Sequence, residues 1–283
     1  MFYINDAYVE EKAAKISILD LGLVRGYGVF DYLRTYNGRP FHLYDHLQRL
    51  KFSAEYIGLS LPKSLEEIEE IVTEILGKDK GEEQSLKIMI TGGTSSDQFL
   101  PQEKSTLIVF SYPFQPFPPN FYKNGIKTVT TSLSRTVPQS KTLHYIPAIM
   151  TLQKKDAQEA LYLNKNKEIL EATTSNFFAF KNGVLITPDS AELLHGITRE
   201  VVLKLAKGRF PVELRPIHYE EIKEFDEAFL TSSTKEVLPV SQIDETLIPL
   251  GNNTQVLSTL FADYVKERLW EPLNISRYSQ SFF

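Results

Sequence analysis

A chain of 283 residues, 42% apolar and 24% charged, can bury a large core in one domain or two. Its net charge of −5 gives no basic field for nucleic acid and no polybasic anchor for anionic lipid. The absence of cysteine excludes disulfides, cysteine–zinc sites and thiol catalysis.

Met1-Phe2-Tyr3-Ile4-Asn5-Asp6 has no basic region followed by a long apolar core, so no signal peptide is expected. No apolar run approaches the roughly 20 residues that span a bilayer. The expectation is a soluble, cytoplasmic protein, and a reducing compartment is compatible with the lack of cysteine.

Residues 1–44 read as β-structure, with a short strand over 15–19. Strands over 32–36 and 40–44 flank Asn37-Gly38, a pair that readily takes the positive φ values of a tight hairpin. Asp45 is placed to cap a helix whose apolar Leu47, Leu50, Ala54 and Ile57 recur at helical spacing, with Gly58 as its stop. Ser64 and Glu67 form a capping box for a second helix through Leu76. Strands over 86–90 and 106–112 follow, separated by Thr91-Gly92-Gly93-Thr94-Ser95-Ser96, which no helix or sheet interior favours. Residues 113–119 then hold four prolines. Proline restricts itself and its predecessor, so this stretch reads as a stiff linker. The implied domains are 1–113 and 121–283, joined by 114–120.

Beyond the linker, a strand is expected over 126–131. A helical pattern follows with one apolar side of Ile146, Ile149, Met150 and Leu152. Strands over 160–163 and 168–171 flank a polar turn, and strands over 176–180 and 184–186 flank Asn182-Gly183. Thr198 can cap a helix that turns Val201, Val202 and Leu205 inward. Strands over 228–231 and 237–242 lead to an amphipathic helix over 255–268 and a polar-aromatic tail. The mixture implies an α+β class, with a smaller N-terminal domain and a larger β-rich one.

Residues that could carry chemistry are few. Lys141 and Glu171 stand at the two ends of the helix–strand–strand stretch, where they can converge on one ligand. A lysine taken alone is most often solvated. Arg49 could bind an anion, yet by spacing it could equally pair with Asp45 on the helix surface. Gly196-Ile197-Thr198 begins a helix, where free backbone N–H groups favour an anion. His42, His46, His144, His195 and His218 show no metal-binding spacing, and no nucleophile elbow, Walker loop or dinucleotide fingerprint is present.

Four motifs stand in register: His46-Leu47-Gln48-Arg49-Leu50, Lys141-Thr142-Leu143-His144-Tyr145, Leu170-Glu171-Ala172-Thr173-Thr174-Ser175-Asn176-Phe177 and Gly196-Ile197-Thr198-Arg199. Together they resemble the class IV pyridoxal-phosphate enzymes, namely branched-chain aminotransferases, D-amino-acid aminotransferases and aminodeoxychorismate lyases. The resemblance runs from about Met1 to the helix near Arg268. It implies a two-domain fold type IV enzyme, with a small α/β N-terminal domain and a larger β-rich cofactor-binding domain. It also implies a homodimer, pyridoxal 5′-phosphate as cofactor, and amino acids and 2-keto acids as substrates.

Residue by residue, the resemblance makes Lys141 the catalytic lysine that holds the cofactor as a Schiff base and then moves the substrate proton. Glu171 would face the pyridine nitrogen, and Tyr145 the 3-oxygen of the ring. Arg49, Ile197, Thr198 and Ser233 would bind the phosphate. Phe30, Arg34 and the Thr234 backbone would meet the substrate. His144 departs from the small or amide residue usual before the tyrosine. Ser175 and Asn176 are expected to shape their loop.

The branches differ in the pocket. D-specific enzymes place a tyrosine where this chain has Phe30, and an arginine and a histidine in the loop that here reads Ser95-Ser96-Asp97-Gln98-Phe99. Branched-chain enzymes have the phenylalanine and an arginine like Arg34. They follow the phenylalanine with Glu-Gly rather than Asp31-Tyr32, and carry Tyr and Arg where Lys87 and Met89 stand. Asp97 is expected to repel a carboxylate, and Arg34 either to serve one or to pair with Asp31. The expected activity is transamination of branched-chain or hydrophobic L-amino acids. The alternatives are D-amino-acid transamination, aminodeoxychorismate lysis and a scaffold without activity; the intact motifs argue against the last.

Overall fold

The computed structural model describes residues 1–78, 82–102 and 104–268; the C-terminal tail from residue 269 lies outside the described residues. Among the described residues no helix is long and apolar enough to cross a membrane. The chain divides into two compact units. Among the described residues, one comprises 1–115, 140–143 and 265–268; the other comprises Pro116–Gln139 and His144–Tyr264.

The first unit contains β1 (Phe2–Ile4), β2 (Ala7–Val9), α1 (Leu21–Val24), β3 (Gly28–Tyr36), β4 (Arg39–Pro40), α2 (Leu43–Tyr56), α3 (Leu65–Lys78), β5 (Gln84–Thr91) and β6 (Thr106–Pro113). Its sheet runs β2-β1-β6-β5-β3-β4, with every neighbour antiparallel. Alternation along β3 turns Val29, Asp31, Leu33 and Thr35 inward and leaves Phe30, Tyr32, Arg34 and Tyr36 half-buried on the other face. Val29 and Leu33 join Leu47 and Leu50 of α2 and Ile68 and Ile75 of α3 in one core.

Local signals behave as their chemistry dictates at several points. Asn37 and Gly38 have φ of 51° and 72°, and the Ser64–Glu67 capping box closes reciprocally at 2.7 and 3.1 Å. Others give way to tertiary contacts. Residues 15–19 form no strand. β1 and β2, inside the stretch read broadly as β-structure but not placed one by one, form because β6 offers β1 an edge. The N-cap of α2 is His42, in a left-handed conformation at φ 53°; Asp45 lies inside the first turn, 2.5 Å from His42 Nδ1.

Ser140–Leu143 belongs with this first unit, not with the 121–283 domain in which the sequence reading put it. β4 covers one edge of β3 only at Thr35 and Tyr36. The exposed remainder of that edge receives the returning chain. Phe30 N donates to Lys141 O at 2.9 Å and Leu143 N to Gly28 O at 3.0 Å. Ser140 Oγ donates to Ser53 O at 2.9 Å, and Lys141 N to Ser53 Oγ at 3.1 Å.

The second unit contains α4 (Pro119–Asn124), β7 (Ile126–Thr131), α5 (Ile146–Leu152), β8 (Glu159–Leu163), β9 (Glu168–Ala172), β10 (Asn176–Lys181), β11 (Val184–Thr187), α6 (Ile197–Ala206), β12 (Val212–Leu214), β13 (Ile217–His218), β14 (Glu227–Ser232), β15 (Glu236–Ile243), β16 (Thr246–Leu247) and α7 (Asn252–Arg268), whose last turn falls in the first unit. The strands run β12-β11-β10-β14-β15-β7-β8-β9-β13, and β7 is parallel to both β8 and β15. One further pairing, Asn176 with Glu171, joins β10 to β9 and closes β10-β14-β15-β7-β8-β9 into a ring. Phe177, Leu230, Leu238 and Ile169 fill its core. The N-terminus of α7 is capped by buried Glu227, which accepts from the amides of Asn253 at 3.0 Å and Thr254 at 2.7 Å.

The direction of one helix face, left open by the sequence, is decided here, and one expectation is corrected. The apolar side of α5 points outward: Ile146, Ile149 and Met150 are 57, 52 and 44% exposed, while Ala148 and Thr151 are buried. Thr198 lies within α6 and is buried; Gly196 is the N-cap and has no side-chain cap.

Docking of the 140–143 segment depends on Gly28. A Cβ there would stand 2.7 Å from Ile90 O and 2.8 Å from Leu143 Cδ1. Gly28→Ala is expected to lower stability by about 1–3 kcal/mol through this overpacking. A urea midpoint equal to that of the parent would contradict the close approach.

Candidate active site

In the first unit, the backbone bonds to β3 hold Lys141 beside Phe30. Its Nζ lies 4.9 Å from the centroid of the Phe30 ring. Lys87, on adjacent β5, brings its own Nζ to 4.6 Å from the same centroid. An aromatic face attracts cations, so the ring is a platform for both side chains. Arg34 stacks against Tyr36 at 4.1 Å and Phe114 at 3.6 Å, and its Nε donates to Thr35 O at 3.2 Å. It does not pair with Asp31.

Asp31 has other partners. Fully buried, it accepts a bidentate pair from Arg49, Nε to Oδ2 at 2.9 Å and Nη2 to Oδ1 at 2.8 Å. His46 Nδ1 lies 2.6 Å from Oδ1, while His46 Nε2 is buried without a hydrogen-bond partner. Burial alone would raise the Asp31 carboxyl, but Arg49 and His46 outweigh it and hold it well below the usual carboxylate range. Burial lowers the His46 imidazole from its ordinary value, against the pull of Asp31. Arg49 is therefore a buried residue and forms no surface pair with Asp45.

The loop over 95–102 also differs from expectation. Asp97 accepts from Ser95 Oγ at 2.6 Å, Phe99 N at 2.9 Å and Leu100 N at 3.1 Å, so its charge is directed into its own turn. These bonds hold its carboxyl below its ordinary value. The loop presents Phe99 and Leu100 to solvent, 69 and 59% exposed.

In the second unit the ring closure sets Glu171 beside Asn176. The buried Glu171 carboxylate accepts from Arg135 Nη1 at 3.1 Å, Leu194 N at 3.2 Å and Asn176 Nδ2 at 3.4 Å. Burial disfavours the charge of Arg135, but Glu171, with Tyr145 and Tyr162 nearby, more than offsets it and raises the guanidinium. Burial pushes the Tyr162 phenol up to about 12, so it stays neutral. Tyr145 is half-buried as the N-cap of α5, and His144 beside it is exposed.

Gly196 opens α6 so close to Asn176 that a Cβ would overlap the amide oxygen of that residue. Ile197 and buried Thr198 then begin the helix, where backbone N–H groups and the helix dipole favour an anion. Ser233 and Thr234 lie half-buried in the turn between β14 and β15, and Ser232 Oγ and Thr234 Oγ1 are 3.3 Å apart.

Residues 28–243 match the class IV amino-transferase family. The chain belongs to the class IV aminotransferases. A protein of Methanocaldococcus jannaschii, provisionally named a branched-chain-amino-acid aminotransferase, is 34% identical over 264 residues, with 90% of each chain covered. A D-alanine aminotransferase of Staphylococcus epidermidis is 29% identical over 276 residues, covering 93% of this chain and 97% of that one. Among solved structures, the branched-chain aminotransferase of Thermoproteus uzoniensis with norvaline superposes at a TM-score of 0.87 and 26% identity, covering 94% of this chain and 95% of that one. The T.th. branched-chain amino acid aminotransferase with pyridoxamine 5′-phosphate gives 0.88 and 25%, covering 94% of both chains.

This class IV aminotransferase is thus a transaminase with the two-domain α+β architecture of fold type IV, and enzymes of its class depend on pyridoxal phosphate. Of the residues singled out from sequence, the first unit holds Phe30, Arg34, Arg49 and Lys141. The second holds Tyr145, Glu171, Ile197, Thr198, Ser233 and Thr234. Sequence reasoning missed Arg135, Asp31, His46, and the buried pair of Glu159 and Lys235. Glu159 left a signal, a charge at the head of the otherwise apolar Ala160-Leu161-Tyr162-Leu163. Arg135 left none, because its partner Glu171 is distant in sequence.

The Asp31–His46–Arg49 cluster makes stability pH-dependent, with a definite sign. Both Asp31 and His46 have folded values below their unfolded ones, so each contributes stability that is lost as pH falls. The His46 part goes first, below about pH 6.5, and the Asp31 part below about pH 4. The thermal midpoint should drop between about pH 7.5 and 5, and His46→Asn should flatten that drop. Identical slopes in parent and variant would refute the assignment to His46.

Proposed function

We propose that this transaminase uses pyridoxal 5′-phosphate to move amino groups between hydrophobic, branched-chain-type L-amino acids and 2-keto acids. The observation that carries the reading is Phe30. Its ring beneath Lys141 Nζ offers a side chain an apolar wall, where D-specific enzymes place a hydroxyl. The 34% identical relative supports it, as does a loop over 94–102 without arginine, lysine or histidine. Lys87, at the same ring, supports a carboxylate-bearing substrate such as glutamate as the exchanging partner. The D-alanine aminotransferase relatives support the second reading, transamination of D-amino acids.

The residues present fit the cofactor. Glu171 is a buried carboxylate held by Arg135, as a ring-nitrogen partner requires. The approach of Gly196 to Asn176 leaves the start of α6 with the open backbone that a phosphate needs. Bound pyridoxal phosphate supplies an electron sink for negative charge on the substrate α-carbon. Lys141 Nζ removes the α-proton as base and returns it as acid. Glu171 would accept the ring N–H, with Arg135 donating to the same carboxylate. The Ile197 and Thr198 amides and the Ser233 hydroxyl would donate to phosphate, and Asp31 fixes the guanidinium of Arg49, itself proposed as a phosphate ligand. Tyr145 would donate to the 3-oxygen of the ring. The Thr234 amide would face the substrate carboxylate, and Arg34 is proposed as a substrate contact.

Lys141→Ala is expected to abolish the visible absorbance of the reconstituted protein and to cut turnover at least ~1,000-fold, with circular dichroism unchanged. In the parent, L-leucine and L-glutamate should turn over faster than D-alanine. A variant that keeps both absorbance and rate sinks the role of Lys141, and faster D-alanine turnover moves the enzyme to the D-specific branch. The exposed Ile146, Ile149 and Met150 of α5 support a second copy of the chain as partner. Sedimentation as a monomer at micromolar concentration would refute that.

A further inference from the structure

We propose that Lys235 is a positioning residue: its buried ammonium ties the turn over 173–175 to the turn over 232–235. The two turns flank the proposed cofactor and substrate contacts, so the inference rests on the functional reading above. Glu171 lies two residues before the first turn and Asn176 directly after it, while Ser233 and Thr234 immediately precede Lys235.

Topology brings the turns to one end of neighbouring strands. β10 begins at Asn176, which pairs with Thr231 near the end of β14. The first turn leads into β10 and the second leaves β14. Lys235 is 5% exposed, and a lysine is rarely so buried without partners. Its Nζ lies 2.7 Å from Glu159 Oε1 and 2.6 Å from Thr174 Oγ1, with the Phe117 ring centroid at 5.2 Å.

Glu159 completes the tie. It is 1% exposed at the head of β8. Besides the ammonium, its carboxylate accepts from the Thr173 hydroxyl, from Thr174 N at 3.1 Å and Oγ1 at 2.5 Å, and from Ser175 Oγ at 3.1 Å. Every hydroxyl of the Thr-Thr-Ser turn is thereby gathered on one carboxylate. Thr174 Oγ1 is the link that joins the two turns directly, beside the route through Glu159, accepting from Lys235 and donating to Glu159. On the other side, Lys235 N donates to Ser232 O and Oγ, both at 3.3 Å, and Tyr122 Oη donates to Lys235 O at 3.2 Å. Burial alone would raise the Glu159 carboxyl, but Lys235 and the threonine hydroxyls lower it.

Stability does not explain this arrangement. Apolar residues of similar volume often replace a buried ion pair at no loss. Apolar packing, however, has no direction, whereas five donors on one carboxylate define where both backbones sit. The tie therefore sets the position of the Thr234 amide relative to the strand that carries Glu171.

Thr174 gives a clean test because it is exposed, so its variants fold. Thr174→Val removes the linking hydroxyl and keeps the shape; Thr174→Ser restores the hydroxyl. In the holoenzyme, Thr174→Val should raise the KM for amino acid roughly tenfold with kcat within about twofold, as loss of a hydrogen bond to a charged group predicts. Amide hydrogen exchange should accelerate together over 173–176 and 232–235, and Thr174→Ser should match the parent in both. Acceleration in one segment alone, or in neither, overturns the tie. So does a Thr174→Ser that behaves like the valine variant. Coupled acceleration with an unchanged KM overturns the positioning role. If the parent transaminates no amino acid at all, the functional reading fails instead, and exchange still decides whether the turns are tied.

Discussion

A carboxylate taken out of water must find a cation, and much of this protein is arranged around three that do. Asp31 meets Arg49, Glu171 meets Arg135, and Glu159 meets Lys235. In each case the partner comes from another element, so the pair fixes one backbone against a second. Breaking such a pair leaves a buried charge without compensation, which costs on the order of 3–5 kcal/mol. That penalty gives these contacts their specificity. The apolar cores tolerate exchange among hydrophobic residues of similar size, whereas these pairs tolerate little.

The same three pairs organise the residues proposed to do chemistry. Arg49 is oriented by a bidentate grip, and Glu171 is held by the guanidinium of Arg135. Lys141 is held differently, through its backbone. Main-chain bonds to β3 and Ser53 fix its Cα while the side chain lies over Phe30. The role proposed for Lys141 requires its amine to change partners, and anchoring by the main chain is compatible with that.

Residues that depend only on their neighbours in sequence were legible. Asn37-Gly38 specified its turn, Ser64 and Glu67 their capping box, and Gly58 the end of α2. Where a distant element competed, local reasoning failed. Asp45 lost the cap position to His42, which takes a left-handed conformation as the chain enters α2 from β4. The helical period of Ile146, Ile149 and Met150 was real, but periodicity reports which residues share a face and not which way that face points.

The sequence by itself determined the family, the α+β class and the identity of the residues proposed to act, because motif order and turn chemistry are carried by short stretches of chain. Only the tertiary structure decided the partners. Asp31 and Arg49 are 18 residues apart, and Arg135 and Glu171 are 36 apart. No local spacing encodes such pairings. They exist because sheet register brings a buried charge and its complement to the same place, and register is a property of the whole fold.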